Sequence, residues 1–272
     1  MAAVLGLDVS SENWSRGIPY RLLPRMHRAG IRFLMARASL GTVADPAFDD
    51  NRVKAFKRGW TPGAYHFMKA DDPVGQAEAF AKRINATGGP DNLLIAVDLE
   101  AGTDSYADVR TFMERLRTLV RRHPIGLYTN QSTWVRLDNH DATNLFDWLW
   151  QARWLLYHQK PPLEVPDFPP RGLGGLPTLM WQPGPYEFAG HRLDGDAFYG
   201  SADDLKMLAS QRDRVPLPER PAYRKGYNAM ILSAQIAISG ATVADGFPAF
   251  RAGVQAARED AIQAVRELIL VP

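Results

Sequence analysis

Apolar residues in the N-terminal three quarters of the chain follow two alternating patterns. Short, dense runs rich in β-branched and aromatic residues are typical of strands. Between them lie stretches in which apolar residues recur every three or four positions, which is helical spacing. The strand-like runs are VLGLDV from Val4, IRFLMARA from Ile31, PGAYHFM from Pro62, LLIAVDLE from Leu93, IGLYTN from Ile125, LWQARW from Leu149 and TLMWQP from Thr178, with a weaker one from His191 to Phe198.

Two of the helical stretches have clear ends. One carries apolar residues from Tyr106 to Val120, with Ser105 or Asp104 as N-cap. Another begins at Pro73 and stops at the sequence TGG. Strands that alternate with helices favour parallel pairing, and about eight strands favour closure into a barrel. Some connections are too short or too rich in proline for a full helix, so we expect an α/β fold built on an irregular (β/α) TIM-like barrel.

Two carboxylates follow the run LLIAVDLE, at Asp98 and Glu100. In a parallel barrel the strand is buried on both faces, while its C-terminal end opens onto the site. Residues i and i+2 of a strand share a face, so the two carboxylates point together. Two such charges in a partly desolvated cleft raise one pKa, which provides a general acid near neutral pH. This is the chemistry of glycosidases, although an Asp-x-Glu alone is more often a solvated strand end.

The other predicted strand ends are also polar or aromatic, which suits a groove for a polysaccharide. Aromatic faces stack on the C–H faces of sugars, and carboxylates or amides bind sugar hydroxyls. For any one Trp or Tyr taken alone, packing in the core is the more common role. These strand-end residues are Asp8, Tyr65, His66, Tyr128, Asn130, Gln151 to Trp154, Trp181 and Gln182.

Composition narrows the classes of protein. The chain has 272 residues, 46% hydrophobic and 23% charged, which is globular composition. The net charge is +2 and no block of Lys or Arg concentrates it, so we expect no nucleic-acid partner. There is no cysteine, and therefore neither disulfide nor thiolate chemistry. We expect no signal peptide and no membrane span, because no window approaches about 20 apolar residues.

Taken as an ordered set, several motifs resemble glycoside hydrolase family 25, the Chalaropsis-type lysozymes, which are N-acetylmuramidases. The resemblance covers about residues 4 to 210 and implies an irregular β/α barrel that cleaves the β-1,4 bond after N-acetylmuramic acid in peptidoglycan. The motifs are GLDVS near the start, GAYHF from Gly63, DLE at Asp98, GLYTN from Gly126, WQARW from Trp150, WQ at Trp181 and LDGDAFYGSADDL from Leu193.

The resemblance also implies roles for individual residues. It makes Glu100 the general acid, Asp98 the neighbouring carboxylate and Asp8 the carboxylate of the first strand. Asp194 matches the aspartate of the closing motif, and Asp196 stands where that motif usually has Asn. In the implied mechanism the substrate's 2-acetamido group is the nucleophile, and no metal or cofactor is needed. The residues expected to be catalytic are Glu100, Asp98, Asp8 and Asp194. Those expected to bind substrate are Tyr65, Tyr128, Trp154, Trp181, Gln182, Arg37 and Asp196.

Two departures from the family pattern lie near the cleft. The second strand usually ends Lys-Ala-Thr-Glu-Gly in this family, but here it reads RASLG. Arg37 therefore replaces a lysine, and Leu40 stands where a cleft-lining glutamate is expected. The first strand continues as SSENW rather than with His-Trp. We expect altered grip on the substrate or an altered rate, with the acid itself retained.

Residues 211–272 lie outside the resemblance, so we divide the chain into a barrel over 1–210 and an extension over 211–272. RVPLPERP has the composition of a linker, and apolar residues from Phe250 to Leu268 form one helical stripe. The stripe suits either a helix docked on the barrel or a surface for oligomerisation or attachment to a virion. A muramidase with such a tail and no signal peptide fits a bacteriophage protein, either an endolysin released from the host cytoplasm through a holin or a component of the virion tail.

The sequence leaves two function hypotheses. The principal one is a peptidoglycan hydrolase that acts at the bacterial cell wall. The alternative is a non-catalytic wall-binding or structural virion module that has kept the barrel. The retained carboxylates favour the enzyme, whereas Arg37 and Leu40 leave room for the alternative.

Overall fold

The computed structural model describes residues 3–100, 102–103, 105–120, 123–154, 165 and 169–210. The predictions for the linker and for the helical stripe from Phe250 to Leu268 lie outside these residues. The described elements, in chain order, are β1 (Val4–Val9), α1 (Leu23–Arg28), β2 (Ile31–Leu40), β3 (Val43–Ala44), α2 (Phe48–Lys57), β4 (Thr61–Phe67), α3 (Pro73–Ala86), β5 (Leu94–Asp98), α4 (Tyr106–Leu119), β6 (Ile125–Asn130), α5 (Gln131–Arg136), β7 (Trp148–Ala152), β8 (Thr178–Phe188), β9 (His191–Phe198) and α6 (Ala202–Ser210).

Eight strands close a barrel, which confirms the predicted fold class. Their order is β1-β9-β8-β7-β6-β5-β4-β2, the pairing of β1 with β2 closes the ring, and the two-residue β3 extends β2 at its edge. Strands β1, β2 and β4 to β8 pair in parallel. Strand β9 is antiparallel to both β8 and β1, because it returns from β8 through a tight hairpin. The weak strand signal from His191 to Phe198 is therefore a full barrel strand, and its direction is what makes the barrel irregular.

The inside of the barrel is filled by large side chains that lie against glycines of neighbouring strands. A Cβ added at Gly126 would lie 2.4 Å from the ring of Trp148, and one at Gly6 would lie 2.3 Å from the ring of Phe33. These glycines make room for aromatic rings on the next strand, which a barrel of this size needs for a filled interior.

Helix α6 closes the end of the barrel at which the parallel strands begin. Its residues Leu205, Leu208 and Ala209 are buried in the interior cluster. The backbone N–H of Leu93, just before β5, donates to the carbonyl of Ala209 at 3.1 Å. The opposite end, where the parallel strands finish, is left for a cleft.

The long helices begin where cap chemistry predicts. Helix α3 has Pro73 at its first turn, and the side chain of Asp72 accepts from the N–H of Gly75. Helix α4 begins after Ser105, whose Oγ accepts from the N–H of Asp108 at 3.3 Å. Among the described residues, no helix is long and apolar enough to cross a membrane.

His66 belongs to the layer between barrel and helices, not to the cleft. Its ring lies 4.8 Å from Phe112 and 5.3 Å from Phe80 between ring centroids, and Nδ1 is 2.9 Å from Oγ of Ser39. Burial lowers the pKa of His66 to about 3, so the imidazole stays neutral. It is a structural histidine at the outer face of β4.

Candidate active site

The open end of the barrel gathers most of the residues predicted to form the site. Tyr65, Asp98, Tyr128 and Gln182 lie at or near the ends of their parallel strands. Because β9 runs in the opposite direction, its first half reaches the same end, where Asp194 pairs with Asp8 across the sheet. Because of these strand directions, five carboxyl groups from distant parts of the chain lie close together at this end. They are Asp8, Asp98, Glu100, Asp194 and Asp196.

Asp98 and Glu100 form an interacting pair at the end of β5. Asp98 is 5% exposed, and its Oδ1 has no hydrogen-bond partner among the described residues. Burial raises the pKa of Asp98 well above its usual range, the charge of Glu100 raises it further, and Arg37 lowers it. Burial also raises the pKa of Glu100, while a hydrogen bond with Tyr128 lowers it. The pair therefore holds a proton to higher pH than isolated carboxyls do.

A second group of carboxyls lies on the β1 and β9 side. Gln182 donates from Nε2 to Oδ2 of Asp8 at 2.8 Å, and Trp150 donates from Nε1 to Oδ1 of Asp196 at 2.8 Å. The pKa values of Asp8, Asp194 and Asp196 are all raised, with burial as the largest cause. Among the described residues, no N–H or hydroxyl group donates to the buried Oδ2 of Asp196. This oxygen therefore takes part in a hydrogen bond only when Asp8 or Asp196 itself carries a proton.

Gln182 organises the middle of the cleft. Its Oε1 accepts from the hydroxyl of Tyr128 at 3.0 Å and from Nε1 of Trp154 at 2.8 Å. Because its Nε2 donates to Asp8, one amide links a carboxylate, a phenol and an indole. Trp154 remains 43% exposed, so one large aromatic face is held at the rim and open to solvent.

Aromatic rings form the floor of the cleft. Trp150 packs edge-on against Tyr128 at 4.4 Å and against Tyr65 at 6.0 Å between ring centroids. Burial and the charges of Asp8 and Asp98 raise the pKa of Tyr65 well above its usual range, so its hydroxyl stays protonated. Trp150 was not among the predicted site residues, although it shares a strand face with Ala152 and Trp148, which the period of two indicates.

Arg37 is fixed beside the cleft by two acids from loops. Its Nε donates to Asp45 at 2.9 Å, and its Nη1 donates to Glu12 at 2.8 Å. Asp45 is 3% exposed and also accepts from the backbone and hydroxyl of Ser11. The sequence analysis missed Glu12 and Asp45, because loop residues carry no periodic signal that shows which strand end they approach. Leu40 is half-buried at the end of β2.

Trp181 does not line the cleft, which corrects its prediction as a substrate-binding residue. It is 1% exposed, and its Nε1 donates to the carbonyl of Arg153 at 2.9 Å. Because side chains alternate along β8, Trp181 and Gln182 cannot both face the inside of the barrel, and Gln182 is the one that does. Trp181 instead lies on the outer face of the barrel, where its hydrogen bond to Arg153 stabilises the chain at the end of β7.

In the part of the chain that the structure describes, no group of three or more His, Cys, Asp or Glu side chains has the arrangement of a metal site. The five carboxyls lie among tyrosine, tryptophan and amide groups instead. Chemically, such an arrangement can donate a proton, stabilise positive charge and bind hydroxyl groups.

A protein-family profile described as glycosyl hydrolases family 25 matches residues 7–182, from β1 to Gln182 in β8. The match spans more than half of the chain, and the chain belongs to this family. It is therefore a glycoside hydrolase of the lysozyme class. The motif LDGDAFYGSADDL from Leu193 follows the matched residues.

Solved structures with the same fold include fungal, bacterial and phage proteins. A muramidase from Trichobolus zukalii is 27% identical, with a TM-score of 0.59 over 76% of this chain and 99% of that one. A bacterial lysozyme from Streptomyces coelicolor is 25% identical, with a TM-score of 0.57 over 77% and 98%. The catalytic domain of endolysin ply40 from bacteriophage P40 of Listeria monocytogenes shares the fold at 20% identity, with a TM-score of 0.55 over 78% and 98%. No curated protein sequence matches the chain.

Proposed function

We propose that this protein is an N-acetylmuramidase, which hydrolyses the β-1,4 bond between N-acetylmuramic acid and N-acetylglucosamine in bacterial peptidoglycan. The observation that carries the proposal is the Asp98–Glu100 pair at the open end of the barrel, where both pKa values are raised. Membership of family 25 and the similarity to a muramidase and a lysozyme support the same substrate.

In the proposed reaction Glu100 donates a proton to the leaving glycosidic oxygen, and the substrate's 2-acetamido oxygen attacks the anomeric carbon. Asp98 accepts a hydrogen bond from the acetamido N–H and stabilises the positive charge that develops on that group. Water then opens the cyclic intermediate, with Glu100 as the base, and the β configuration is retained. Only proton transfers and the substrate's own amide take part, so the scheme uses no metal or cofactor.

The proton must reside on Glu100 when the substrate is bound. In the free site burial favours protonation of Asp98, which is the more deeply buried of the two. Because the groups are coupled, a new hydrogen bond to one of them redistributes the proton. An acetamido N–H that donates to Asp98 stabilises its carboxylate, which leaves the shared proton on Glu100.

The remaining cleft residues would bind and orient the sugar. Trp154 offers an exposed face for stacking, and the hydroxyls of Tyr65 and Tyr128 remain protonated donors. We propose that Asp194, the most exposed carboxyl of this group, supplies negative charge that favours the oxocarbenium-like transition state, while the more deeply buried Asp8 shares a proton with Asp196. Asp196, through Trp150, and Arg37, beside Asp98, keep the aromatic floor and the catalytic pair in position.

Glu100→Gln tests the acid. The amide keeps the shape of the side chain but cannot donate an acidic proton, so we expect lysis of purified Gram-positive or actinobacterial walls to fall by about 10²- to 10⁴-fold. Turbidity measures the rate, and wall sedimentation measures binding, which should persist. Glu114→Gln, on the exposed face of α4, is the matched control and should lyse like the parent. Lysis by Glu100→Gln at the rate of the parent protein would contradict the assignment of Glu100 as the acid. If the parent protein itself binds walls without lysing them, a non-catalytic wall-binding or virion module is favoured.

Asp98→Asn tests assistance by the acetamido group. Asparagine cannot stabilise the developing positive charge, so turnover should fall strongly while the fold is kept. The anomeric configuration of the parent enzyme's first products, followed by NMR, should be β. An early α product would contradict the substrate-assisted scheme.

We further propose that the protein acts at the cell wall as a bacteriophage lysin, either an endolysin or part of a virion, with residues 211–272 as the attachment or oligomerisation segment. The shared fold with a phage endolysin is compatible with this origin. The test is whether a chain that ends at Gln211 keeps the assembly state of the full chain.

A further inference from the structure

A second cavity opens beside the catalytic cleft, with a volume of about 670 Å³. This is within the range of about 300–1,000 Å³ that small-molecule sites occupy. Its lining comes from the start of α5, the end of β7 and the glycine-rich segment before β8. The lining residues that matter for binding are Arg153, Arg171, Gln131, Asn139, Gln151 and Trp134.

The cavity adjoins the catalytic cleft through shared structure. The backbone N–H of Arg153 donates to the carbonyl of Gln182 at 3.1 Å, and the neighbouring Trp154 donates to the side chain of the same residue. Helix α5, which supplies Trp134, also reaches Glu100, whose carbonyl accepts from Nη2 of Arg136 at 3.3 Å. A glycan bound in the cleft therefore has this cavity within reach of its substituents.

The charge of the cavity is opposite to that of the cleft. Arg153 and Arg171 are exposed, and neither makes an ion pair with any residue that the structure describes. Among the described residues that line the cavity none is acidic, whereas the cleft holds five carboxyls. An anionic group on the substrate gains no attraction from the carboxyls of the cleft and is attracted to the two guanidinium groups, which bind carboxylates in a forked geometry.

The other walls suit a peptide. Gln131, Asn139 and Gln151 present amides, and Gln151 is held by a 2.8 Å hydrogen bond from Oγ1 of Thr178. Gly174 and Gly175 have positive φ, and a Cβ at Gly174 would lie 2.8 Å from the ring of Trp134, so these glycines let this wall pack closely against α5 and the segment after it. The amides are the groups that can pair with a peptide.

We propose that this cavity, the stem pocket, binds a carboxylate of the peptide stem that N-acetylmuramic acid carries on its lactyl group. The proposal rests on the muramidase function and deepens it. The glycan chain occupies the acidic cleft, and the anionic stem lies in the arginine-lined pocket beside it. The stem pocket therefore makes the enzyme prefer peptide-bearing glycan to bare glycan.

The experiment compares two substrates with the full-length protein. One is purified glycan strands that keep their peptide stems, and the other is the same preparation after an amidase has removed the stems. For Arg153→Ala and Arg171→Ala we expect KM on stem-bearing strands to rise roughly fivefold each, and about tenfold or more in the double variant. KM and kcat on bare strands should stay at the parent's values, which also shows that the variants are folded.

Arg28→Ala is the matched control, because it removes the same charge from α1 at the far end of the barrel. It should leave both substrates unaffected. If the pocket variants lose activity on both substrates equally, or on neither, the stem-pocket proposal is overturned while the muramidase function stands. If the parent cleaves neither substrate, the proposed function itself fails.

Discussion

At the scale of single residues, the buried carboxyls dominate the chemistry. Asp196 is completely buried, accepts one hydrogen bond from Trp150 and has a pKa raised well above the ordinary value of 3.8. The resemblance to family 25 indicates that asparagine usually occupies this position. A carboxyl whose pKa is higher in the folded than in the unfolded protein stabilises the folded state fully at pH values below its pKa in the unfolded protein. This stabilisation is lost as the pH rises through its pKa in the folded protein.

Asp196→Asn should therefore stabilise the protein, and the gain should grow with pH. Asn keeps an oxygen for Trp150, adds an N–H₂ donor and does not titrate. We expect about 1–3 kcal/mol in the free energy of unfolding at pH 8 and little difference near pH 4. Chemical denaturation at both pH values measures it. A gain that is the same at both would contradict the assignment of a raised pKa to Asp196.

Tyr128 acts on the general acid through its hydroxyl. The single proton of this hydroxyl can go to Oε1 of Gln182 or to Glu100. When it goes to Glu100 it favours the charged form and so lowers the pKa of that carboxyl. Tyr128→Phe should therefore raise the pKa of Glu100 and move the alkaline limb of the kcat/KM profile to higher pH. The pH dependence of the hydrolysis of soluble glycan measures this shift. A lower rate with an unchanged pH profile would show that Tyr128 acts only in binding or packing.

Among the elements of the barrel, three strand pairs match a glycine with a large side chain on the next strand: β1 with β2, β2 with β4, and β6 with β7. Gly126 on β6 lies against Trp148 on β7, and a Cβ there would meet Cε2, Cζ2 and Cδ2 of the indole. Both residues are on the inner face of the barrel, where neighbouring strands leave little room to relax.

Gly126→Ala should destabilise the barrel by about 1–3 kcal/mol, because the added methyl overpacks this pair. Trp148→Phe removes the part of the ring that the methyl would meet. The double variant should therefore lose less free energy of unfolding than the sum of the losses in the two single variants. A double-mutant cycle in guanidinium chloride measures this difference. Strict additivity would show that the methyl is accommodated elsewhere.

At the scale of the whole molecule, α6 completes the barrel. Leu205 and Leu208 are buried in the interior cluster, and the carbonyl of Ala209 accepts from Leu93. The described residues thus bring the barrel to a closed end by Ser210.

A chain that ends at Gln211 should fold and still cleave soluble glycan fragments. It should lose any oligomer or partner attachment that the full chain shows in light scattering. A chain that ends at Gly200 is the contrasting variant: it lacks α6 and should unfold, since each large apolar side chain lost from a core costs about 2–5 kcal/mol. If circular dichroism shows that the chain ending at Gln211 is unfolded, residues 211–272 are needed for the stability of the barrel. That result would contradict the attachment proposal.

Local patterns in the sequence were enough to predict the helices, the strands and the residue types of the cleft. Helical spacing and caps located α3 at Pro73 and α4 after Ser105, and both are observed. Dense apolar runs located the strands, and the polar residues that follow those runs were expected at one open end of a barrel. These features are local, because the period of a helix or strand and the chemistry of a cap depend only on near neighbours.

Which of those residues contact one another depends on the packing of distant parts of the chain. The reversed direction of β9 brings Asp194 to Asp8, and the contact between Trp150 and Asp196 joins β7 to β9. Strand alternation turned Trp181 away from the cleft, although its identity alone had suggested a sugar platform. The stem pocket likewise depends on arginines separated in the sequence. Such contacts join residues far apart in the chain, and no local period or cap encodes which distant strand end or loop will lie beside a given side chain.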